Sequence, residues 1–135
     1  MKVSAKGRYA LRMMIDIAEQ DADARVSIKE IAERQGISVK YMEQIVTNLT
    51  RAKLLRSERG SGGGYMLTRP PERYTAGEII RAIEGELAPV ACVEDELNIC
   101  ERSSYCKTLG FWQGLNRTID EYTNSVTLQD LLKSE

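Results

Sequence analysis

SIKEIAERQGISVKYMEQIVTNLTRAKLLRSERGSGGGYMLT, residues 27–68, carries a motif that predicts the architecture of the chain. A capping box of Ser27 and Glu30 predicts a short helix, which Gly36 ends. Ser38 caps a second helix that is expected to run to about residue 52. Two short helices joined by a tight turn with a glycine form a helix-turn-helix. The buried stripe of the second helix is predicted to be Met42, Ile45, Val46 and Leu49.

A β-hairpin is predicted directly after the second helix. Residues 54–59 and 65–68 favour strands, and the glycine-rich stretch 60–64 favours a turn between them. A hairpin in this position is a wing. A nucleotide phosphate loop is the weaker interpretation, because no Lys-Ser or Lys-Thr pair follows the glycines and the next element is a strand. Three arginines belong to the wing: Arg56, Arg59 and Arg69.

Helices are predicted on both sides of this motif. Residues 7–20, 75–86 and 103–125 carry apolar side chains at spacings of three and four. Thr75 with Glu78 predicts a capping box at the start of the second of these helices, and Thr127 with Asp130 favours a short capped turn at the end. The fold class is therefore mostly α with a small β-hairpin. The predicted division is a winged helix-turn-helix DNA-binding domain at 1–86, a cysteine-bearing sensor loop at 87–106, and a dimerisation helix and tail at 107–135.

The last long helix is predicted to be the dimer interface. A chain of this size cannot bury such a helix fully, and pairing with a twin across a two-fold axis would match a palindromic DNA site. The alternative is that its stripe packs only on its own domain. The predicted interface residues are Trp112, Leu115, Ile119 and Tyr122.

The two halves of the chain differ in charge. Residues 1–75 carry 14 Lys and Arg against 9 Asp and Glu, whereas residues 76–135 carry 5 against 11. A basic half indicates contact with a polyanion such as DNA, although an unevenly charged solvated surface is the plain alternative. Base contacts are expected at the start of the second helix, from Ser38, Val39, Lys40, Tyr41, Glu43 and Gln44. Further DNA contacts are expected from Arg51, Lys53, Arg56 and Arg59, and at the wing tip from Ser61, Gly62 and Gly63.

Several function classes are excluded by composition. No apolar run approaches the roughly 20 residues that cross a bilayer, and Asp16 and Glu19 interrupt any signal-peptide core, so a cytoplasmic location is expected. The chain has no histidine, and no nucleophile–base pair stands out, so an enzyme is not expected.

The three cysteines, Cys92, Cys100 and Cys106, lie within 15 residues. An odd number in a cytoplasmic chain argues against a disulfide framework, and clustering favours metal ligation or redox sensing. Thiolates suit iron–sulfur clusters and zinc. The spacing, seven residues and then five, differs from the Cys-x-x-Cys pattern typical of structural zinc.

The segments KVSAKGRYALRMMIDIA, IKEIAERQGISVKYMEQIVTNLTRAKLL, RSERGSGGGYML and YTAGEIIRAIEG, with the three cysteines before a Trp-bearing helix, resemble the Rrf2 family of bacterial transcription regulators. The resemblance spans essentially the whole chain and includes members similar to IscR, NsrR and CymR. It implies a homodimeric repressor or activator with a winged helix-turn-helix, and it implies that Arg59 enters the minor groove.

The resemblance also implies an iron–sulfur cluster, 2Fe–2S or 4Fe–4S with the former expected, held by Cys92, Cys100 and Cys106. The chain departs from the family at the fourth ligand. The histidine of IscR-like members is replaced by Leu109, and the aspartate of NsrR-like members by Arg8. The remaining candidates are a small external thiol or the nearby carboxylates of Glu94, Asp95, Glu96 and Glu101.

Two other modes of regulation stay open. In a cluster-free thiol switch, Cys92 would be the nucleophile, because it matches the single cysteine of CymR-like members, and its oxidation to sulfenic acid would be the signal. In a regulator controlled by a protein partner, the acidic half would dock a metabolic enzyme, as the resemblance to CymR-like members implies.

Overall fold

The computed structural model describes residues 2–60, 62–94 and 100–134. It is mostly helical with one antiparallel hairpin, which confirms the predicted fold class. The elements in chain order are α1 (Ala5–Glu19), α2 (Ile28–Gln35), α3 (Val39–Arg51), β1 (Leu55–Glu58), β2 (Gly64–Leu67), α4 (Ala76–Glu84), α5 (Leu109–Ser125) and α6 (Leu128–Leu132). Short 3-10 turns lie at Pro71–Arg73 and Ala91–Val93.

The helix-turn-helix forms as its capping residues predict. The Ser27 hydroxyl accepts a hydrogen bond from the Glu30 amide, and the Glu30 carboxylate accepts one from the Ser27 amide, which completes the capping box. Gly36 ends α2 in a left-handed conformation (φ 66°) that favours glycine. The Ser38 hydroxyl then accepts from the Tyr41 amide at 3.2 Å and starts α3.

A single core joins α1, α3, α4, the hairpin and α6. Its fully buried side chains include Met13, Met42, Leu49, Ile79 and Leu128. The predicted stripe of α3 is confirmed, since all four of its members are buried. Burying side chains of this size is the main stabilising contribution to a fold of this length. The core therefore fixes the orientation of α3 relative to the rest of the chain.

A polar network ties α1 to the turn of the helix-turn-helix. Asp16 is buried, and its carboxylate accepts hydrogen bonds from the Arg34 guanidinium, the shortest at 2.7 Å, and from Gln35 Nε2 at 2.9 Å. Arg12 donates to the backbone oxygen of Gln35 at 2.6 Å and to its side-chain oxygen at 3.0 Å. The end of α2 is therefore held on α1 by charge-assisted hydrogen bonds.

Helix α5 begins later than the sequence predicts. A start at residue 103 or 104 is wrong, because the chain from Cys100 makes isolated turns whose amides bond three residues back, as Ser103 does to the Cys100 carbonyl. The first helical bond of the i to i−4 type runs from the Trp112 amide to the Thr108 carbonyl at 3.2 Å. Cys106 consequently precedes the helix.

Helix α4 differs from prediction in its capping. The Thr75 hydroxyl accepts from the Glu78 amide, as expected, but the Glu78 carboxylate pairs with Arg69 at 2.7 Å. This ion pair takes the place of the hydrogen bond from the Thr75 amide to the Glu78 carboxylate that a complete capping box requires. Helix α4 ends at Glu84, before Gly85, whose φ of 77° favours glycine.

The C-terminal residues return to the winged domain after α5. The Ala76 amide donates to the Val126 carbonyl at 2.8 Å, and the Leu128 amide donates to the Tyr74 carbonyl at 3.0 Å. Thr127 also caps α6 in a complete box with Asp130, as predicted. Helix α5 is therefore anchored to the core at its C-terminal end. No helix among residues 2–60, 62–94 and 100–134 is long and apolar enough to cross a membrane.

Candidate nucleic-acid interface and cysteine segment

The exposed face of α3 carries the predicted base-reading side chains. Val39, Lys40, Glu43 and Gln44 are exposed, while the opposite face of the helix is buried. The hydroxyl of Ser38 is exposed but occupied, because it caps the helix. These side chains form one continuous surface at the N-terminal half of α3, which is the part of a recognition helix that contacts base edges.

Tyr41 differs from the other predicted base-reading residues. Its side chain is half-buried and its ring meets the Tyr9 ring edge-on, with 5.7 Å between centroids. The Arg12 guanidinium lies over the Tyr9 ring, 5.2 Å from its centre. Such aromatic and cation–π contacts fix the start of α3 on α1. Sequence reasoning missed this support, because the contacting residues are far apart in the chain.

The wing presents two exposed arginines beside α3. Arg59 is exposed, and exposed Arg56 reaches across the hairpin with its guanidinium 3.7 Å from the Met66 sulfur. Gly62 lies at φ 76°, a backbone conformation that favours glycine at this tip. Gly63 packs against the backbone of its own turn, and a side chain there would clash with it. The remaining predicted tip residue, Ser61, lies outside the described residues.

Arg69 does not extend the wing surface. Its guanidinium makes two hydrogen bonds to the Glu78 carboxylate, which raise the pKa of Arg69 above its ordinary value. It also lies 4.8 Å from the centre of the Tyr74 ring. This arginine connects the wing to α4, whereas Arg51 and Lys53 at the end of α3 are exposed.

A buried tyrosine holds the base of the wing. The Tyr74 hydroxyl donates to the Leu54 carbonyl at 2.8 Å, just before β1, and accepts from the amides of Thr68 and Arg69 just after β2. The Thr68 hydroxyl in turn donates to the Lys53 carbonyl at 2.9 Å. One phenolic oxygen thus joins the two ends of the hairpin. Tyr74 was not among the residues predicted from sequence.

The three cysteines lie on the segment between α4 and α5, and no disulfide joins them. Cys92 is half-buried in the 3-10 turn Ala91–Val93, Cys100 is exposed, and Cys106 is half-buried. A hydrogen bond with the Thr108 hydroxyl, 3.3 Å away, lowers the pKa of the Cys106 thiol. The donor set of three soft thiols is one that suits an iron–sulfur cluster.

The described residues do not assemble a ready-made metal site. Among residues 2–60, 62–94 and 100–134, no three Cys, Asp or Glu side chains lie together so that they could hold a metal ion. Of the candidate fourth ligands, Glu94 and Glu101 are exposed, whereas Asp95 and Glu96 lie outside the described residues. The thiols fit an iron–sulfur group by their chemistry, and binding one would require them to come together.

Helix α5 leaves several large apolar side chains uncovered. Phe111 is 65% exposed, Leu115 36% and Tyr122 69%. The other two members of the predicted dimer stripe, Trp112 and Ile119, are half-buried, and the Phe111 ring packs edge-on against Trp112 with 4.9 Å between centroids. Phe111 was absent from the predicted interface, although it belongs to the same exposed surface.

The inner side of α5 is bound to α4 and to the cysteine segment. The Arg81 guanidinium pairs with the Asp120 carboxylate at 2.6 Å and donates to Asn124 at 3.1 Å. Asn116 Nδ2 donates to the Val93 carbonyl at 3.4 Å, next to Cys92. Helix α5 therefore contacts both the turn that carries a cysteine and the domain that carries α3.

Comparison with known proteins identifies the family. The family model described as "Rrf2: Iron-dependent Transcriptional regulator" matches residues 3–134. The chain is 36% identical to the transcriptional regulator IscR of Sodalis glossinidius over 135 residues, covering 100% of this chain and 81% of that protein.

Solved structures agree with this match. The structure of CymR (YrzC), described as the global cysteine regulator of B. subtilis, superposes with a TM-score of 0.79 at 37% identity, covering 98% of this chain and 96% of that one. The structure of T. potens IscR superposes with a TM-score of 0.77 at 38% identity, covering 98% and 87%. The chain belongs to the Rrf2 family, and it is a DNA-binding transcriptional regulator with a winged helix-turn-helix, not an enzyme.

Proposed function

We propose that this regulator binds a specific operator as a homodimer in the cytoplasm and that an iron–sulfur cluster, held by Cys92, Cys100 and Cys106, controls its operator affinity. The observation that carries the proposal is the placement of all three cysteines on the one segment that leads into α5. Its relatives include proteins named IscR, and its family model is described as iron-dependent.

In this proposal, α3 reads the operator. Glu43 would accept a hydrogen bond from a cytosine amino group, Gln44 would pair with adenine, and Lys40 would contact a phosphate or a guanine. All three are exposed on the outer face of α3. Arg59 would enter the adjacent minor groove, where it responds to groove width and negative potential.

Helix α5 would pair with its twin and set the distance between two recognition helices. The exposed apolar side chains of this helix support the pairing. The proposed three-part division follows from this arrangement: residues 1–86 bind DNA, residues 87–106 sense the signal, and residues 107–135 dimerise and return to the core.

The chain's own residues provide a route from the cysteines to α3. Asn116 connects α5 to the turn that contains Cys92, and Arg81 connects α5 to α4. Helix α4 packs against α1 and α3. Bound by the three thiols, a 2Fe–2S cluster would supply a redox-sensitive link among them. If α5 alternates between two positions, the cluster would shift that equilibrium only as far as it binds one position more tightly than the other.

The test is an absorption spectrum with iron and sulfide analysis on protein purified without oxygen. Visible bands with stoichiometric iron and sulfide, lost in a variant with all three cysteines changed to alanine, would support the proposal. Operator affinity should also differ between the loaded and the stripped protein. A colourless, iron-free protein that resists reconstitution, or equal affinities for every operator, would overturn it.

A second candidate is a cluster-free regulator controlled by thiol oxidation. The lowered pKa of Cys106 favours it, because the thiolate is the form that oxidants attack. The likeness to the structure of CymR, described as a global cysteine regulator, points the same way. Control by a metabolic enzyme docked on the acidic half stays a further alternative. Reversible loss of operator binding on mild peroxide treatment of iron-free protein, abolished by Cys92→Ser or Cys106→Ser, would favour this candidate.

A further inference from the structure

A polar cleft lies between the recognition helix and the wing. It has a volume of about 360 Å³ and is lined by Val46, Thr47, Thr50 and Arg51 of α3 and by Ser57 and Tyr65 of the hairpin. Ser57 and Tyr65 are cross-strand partners, so their side chains share one face of the hairpin. Within the described residues, no carboxylate lines this cleft. Of the described residues that line it, Arg51 alone carries a formal charge.

The cleft is lined by a residue, Thr50, whose hydroxyl lacks a hydrogen-bond partner. The Thr50 hydroxyl is buried and makes no hydrogen bond. Such a group costs free energy unless something supplies an acceptor. Thr50 lines the cleft and is half-buried as a whole, and its hydroxyl would have to turn about the Cα–Cβ bond to face the cleft. The Thr47 hydroxyl, by contrast, is already used, because it donates to the Glu43 carbonyl at 2.8 Å.

The position of the cleft indicates which part of a DNA duplex would lie in it. Lys40, Gln44, Thr47 and Arg51 follow one another at spacings of four, three and four, so they lie on one face of α3. The cleft thus adjoins the base-reading face and is bounded on its other side by the wing. If α3 lies in the major groove and the wing in the neighbouring minor groove, the sugar–phosphate strand that separates the two grooves must pass between them.

We infer that this cleft binds a phosphodiester of the operator backbone. Arg51 would supply the charge, and the hydroxyls of Thr50, Ser57 and Tyr65 would donate to the phosphate oxygens. The inference rests on the proposed placement of α3 and the wing on DNA. It adds Thr50, Ser57 and Tyr65, none of which was predicted from sequence, to the DNA-contacting residues.

Thr50→Val separates this role from a structural one. The substitution keeps the shape of the side chain and removes an unpartnered buried hydroxyl, so the melting temperature should stay the same or rise. Affinity for DNA should fall about threefold to tenfold, the value of one lost hydrogen bond. The loss should be equal on an operator duplex selected from a random pool and on a random-sequence duplex, because a phosphate contact carries no sequence information.

Arg51→Gln tests the charge. It should weaken binding to both duplexes and reduce the slope of log affinity against log salt by about 1. Lys133→Gln, which removes one exposed positive charge on the C-terminal side of α6, is the matched control and should leave both quantities unchanged. Ser57→Ala should behave like Thr50→Val in affinity.

The outcomes distinguish the inference from the proposed function. If wild-type protein binds neither duplex, with or without a cluster, the proposed placement on DNA fails. If wild type binds but Thr50→Val and Arg51→Gln bind equally well, the phosphate cleft is wrong while the recognition helix stands. Loss confined to one operator sequence would also overturn it, since that result indicates a base contact.

Discussion

The ion pair between Asp16 and Arg34 is asymmetric in its exposure. The Asp16 side chain is 4% exposed and that of Arg34 is 40% exposed. The hydrogen bond from Arg34 raises the pKa of this guanidinium, so the arginine stays charged at any pH at which the protein is folded. Loss of Arg34 and loss of Asp16 therefore have different consequences, because only the buried Asp16 carboxylate relies on protein groups in place of water.

We expect Arg34→Ala to lower the free energy of unfolding by about 1–3 kcal/mol, because it leaves the Asp16 carboxylate buried with only Gln35 as a side-chain partner. Adding Asp16→Asn should recover part of that loss, since the charge that needs a partner is then gone. Urea denaturation of the two single variants and the double variant measures this. Additive losses would contradict the prediction.

The Thr108 hydroxyl should control the reactivity of Cys106. Its hydrogen bond lowers the pKa of that thiol, so more thiolate is present near neutral pH than in an ordinary cysteine. In iron-free protein with Cys92 and Cys100 replaced by serine, Thr108→Val should raise the pKa and slow alkylation by iodoacetamide near neutral pH. The two rates should converge at alkaline pH, where both thiols are ionised. Equal rates at all pH values would show that Thr108 has no such effect.

At the scale of elements, the wing depends on Tyr74 to hold its two ends together. The two strands have four residues each, and a hairpin of that size is marginal by itself. The Tyr74 hydroxyl binds the backbone on both sides of the hairpin, so it restricts the angle between wing and recognition helix. The wing is therefore oriented by a residue outside it.

Tyr74→Phe should lower the free energy of unfolding by about 1–3 kcal/mol, because the buried Leu54 carbonyl and the part-buried amides of Thr68 and Arg69 lose their partner. It should also speed hydrogen exchange at the Thr68 amide and reduce the loss in DNA affinity caused by Arg59→Ala. The control is Tyr9→Phe, which keeps its ring contacts and should change little. If the effect of Arg59→Ala is the same in both backgrounds, Tyr74 does not orient the wing.

Elements whose ends are capped by their own neighbours could be predicted from sequence. Ser27, Ser38 and Thr127 each accept a hydrogen bond from an amide three residues on, so the signal is local. The start of α5 could not be predicted in this way, because Thr108 makes no side-chain cap and the preceding turns give no periodic pattern. The roles of Asp16 and Tyr74 also escaped, since their partners lie about 20 residues away in sequence.

The candidate site likewise has parts that could be predicted from sequence and parts that could not. The exposed residues of α3 follow from helical periodicity once the buried stripe is known. The cleft beside Thr50 depends on how the hairpin folds back on α3, which no local pattern encodes. The thiols were recognised because they cluster in sequence. Which of them share a ligand could not be predicted, because the described residues do not bring three such side chains together.

At the scale of the whole molecule, the exposed apolar surface of α5 predicts a dimer. Leu115→Glu should convert the protein to a monomer in sedimentation experiments, because it places a charge among Phe111 and Tyr122. Operator affinity should fall with it, since two half-sites can no longer be bound together. Arg117→Glu, an exposed position about 200° around the same helix, is the control. A wild-type monomer at micromolar concentration, or a dimeric Leu115→Glu variant, would contradict the prediction.

The return of α6 to the core has a consequence for synthesis on the ribosome. Leu128 lies among the side chains that also bury Met13 and Leu49, and the Thr75–Thr127 bridge joins the end of the wing region to the end of α5. The recognition helix is complete by residue 51, but the core that supports it lacks Leu128 until residues 126–132 have been made. The nascent chain thus cannot complete the support of its recognition helix early. We expect DNA binding to begin only after the regions proposed to sense the signal and to dimerise have been synthesised.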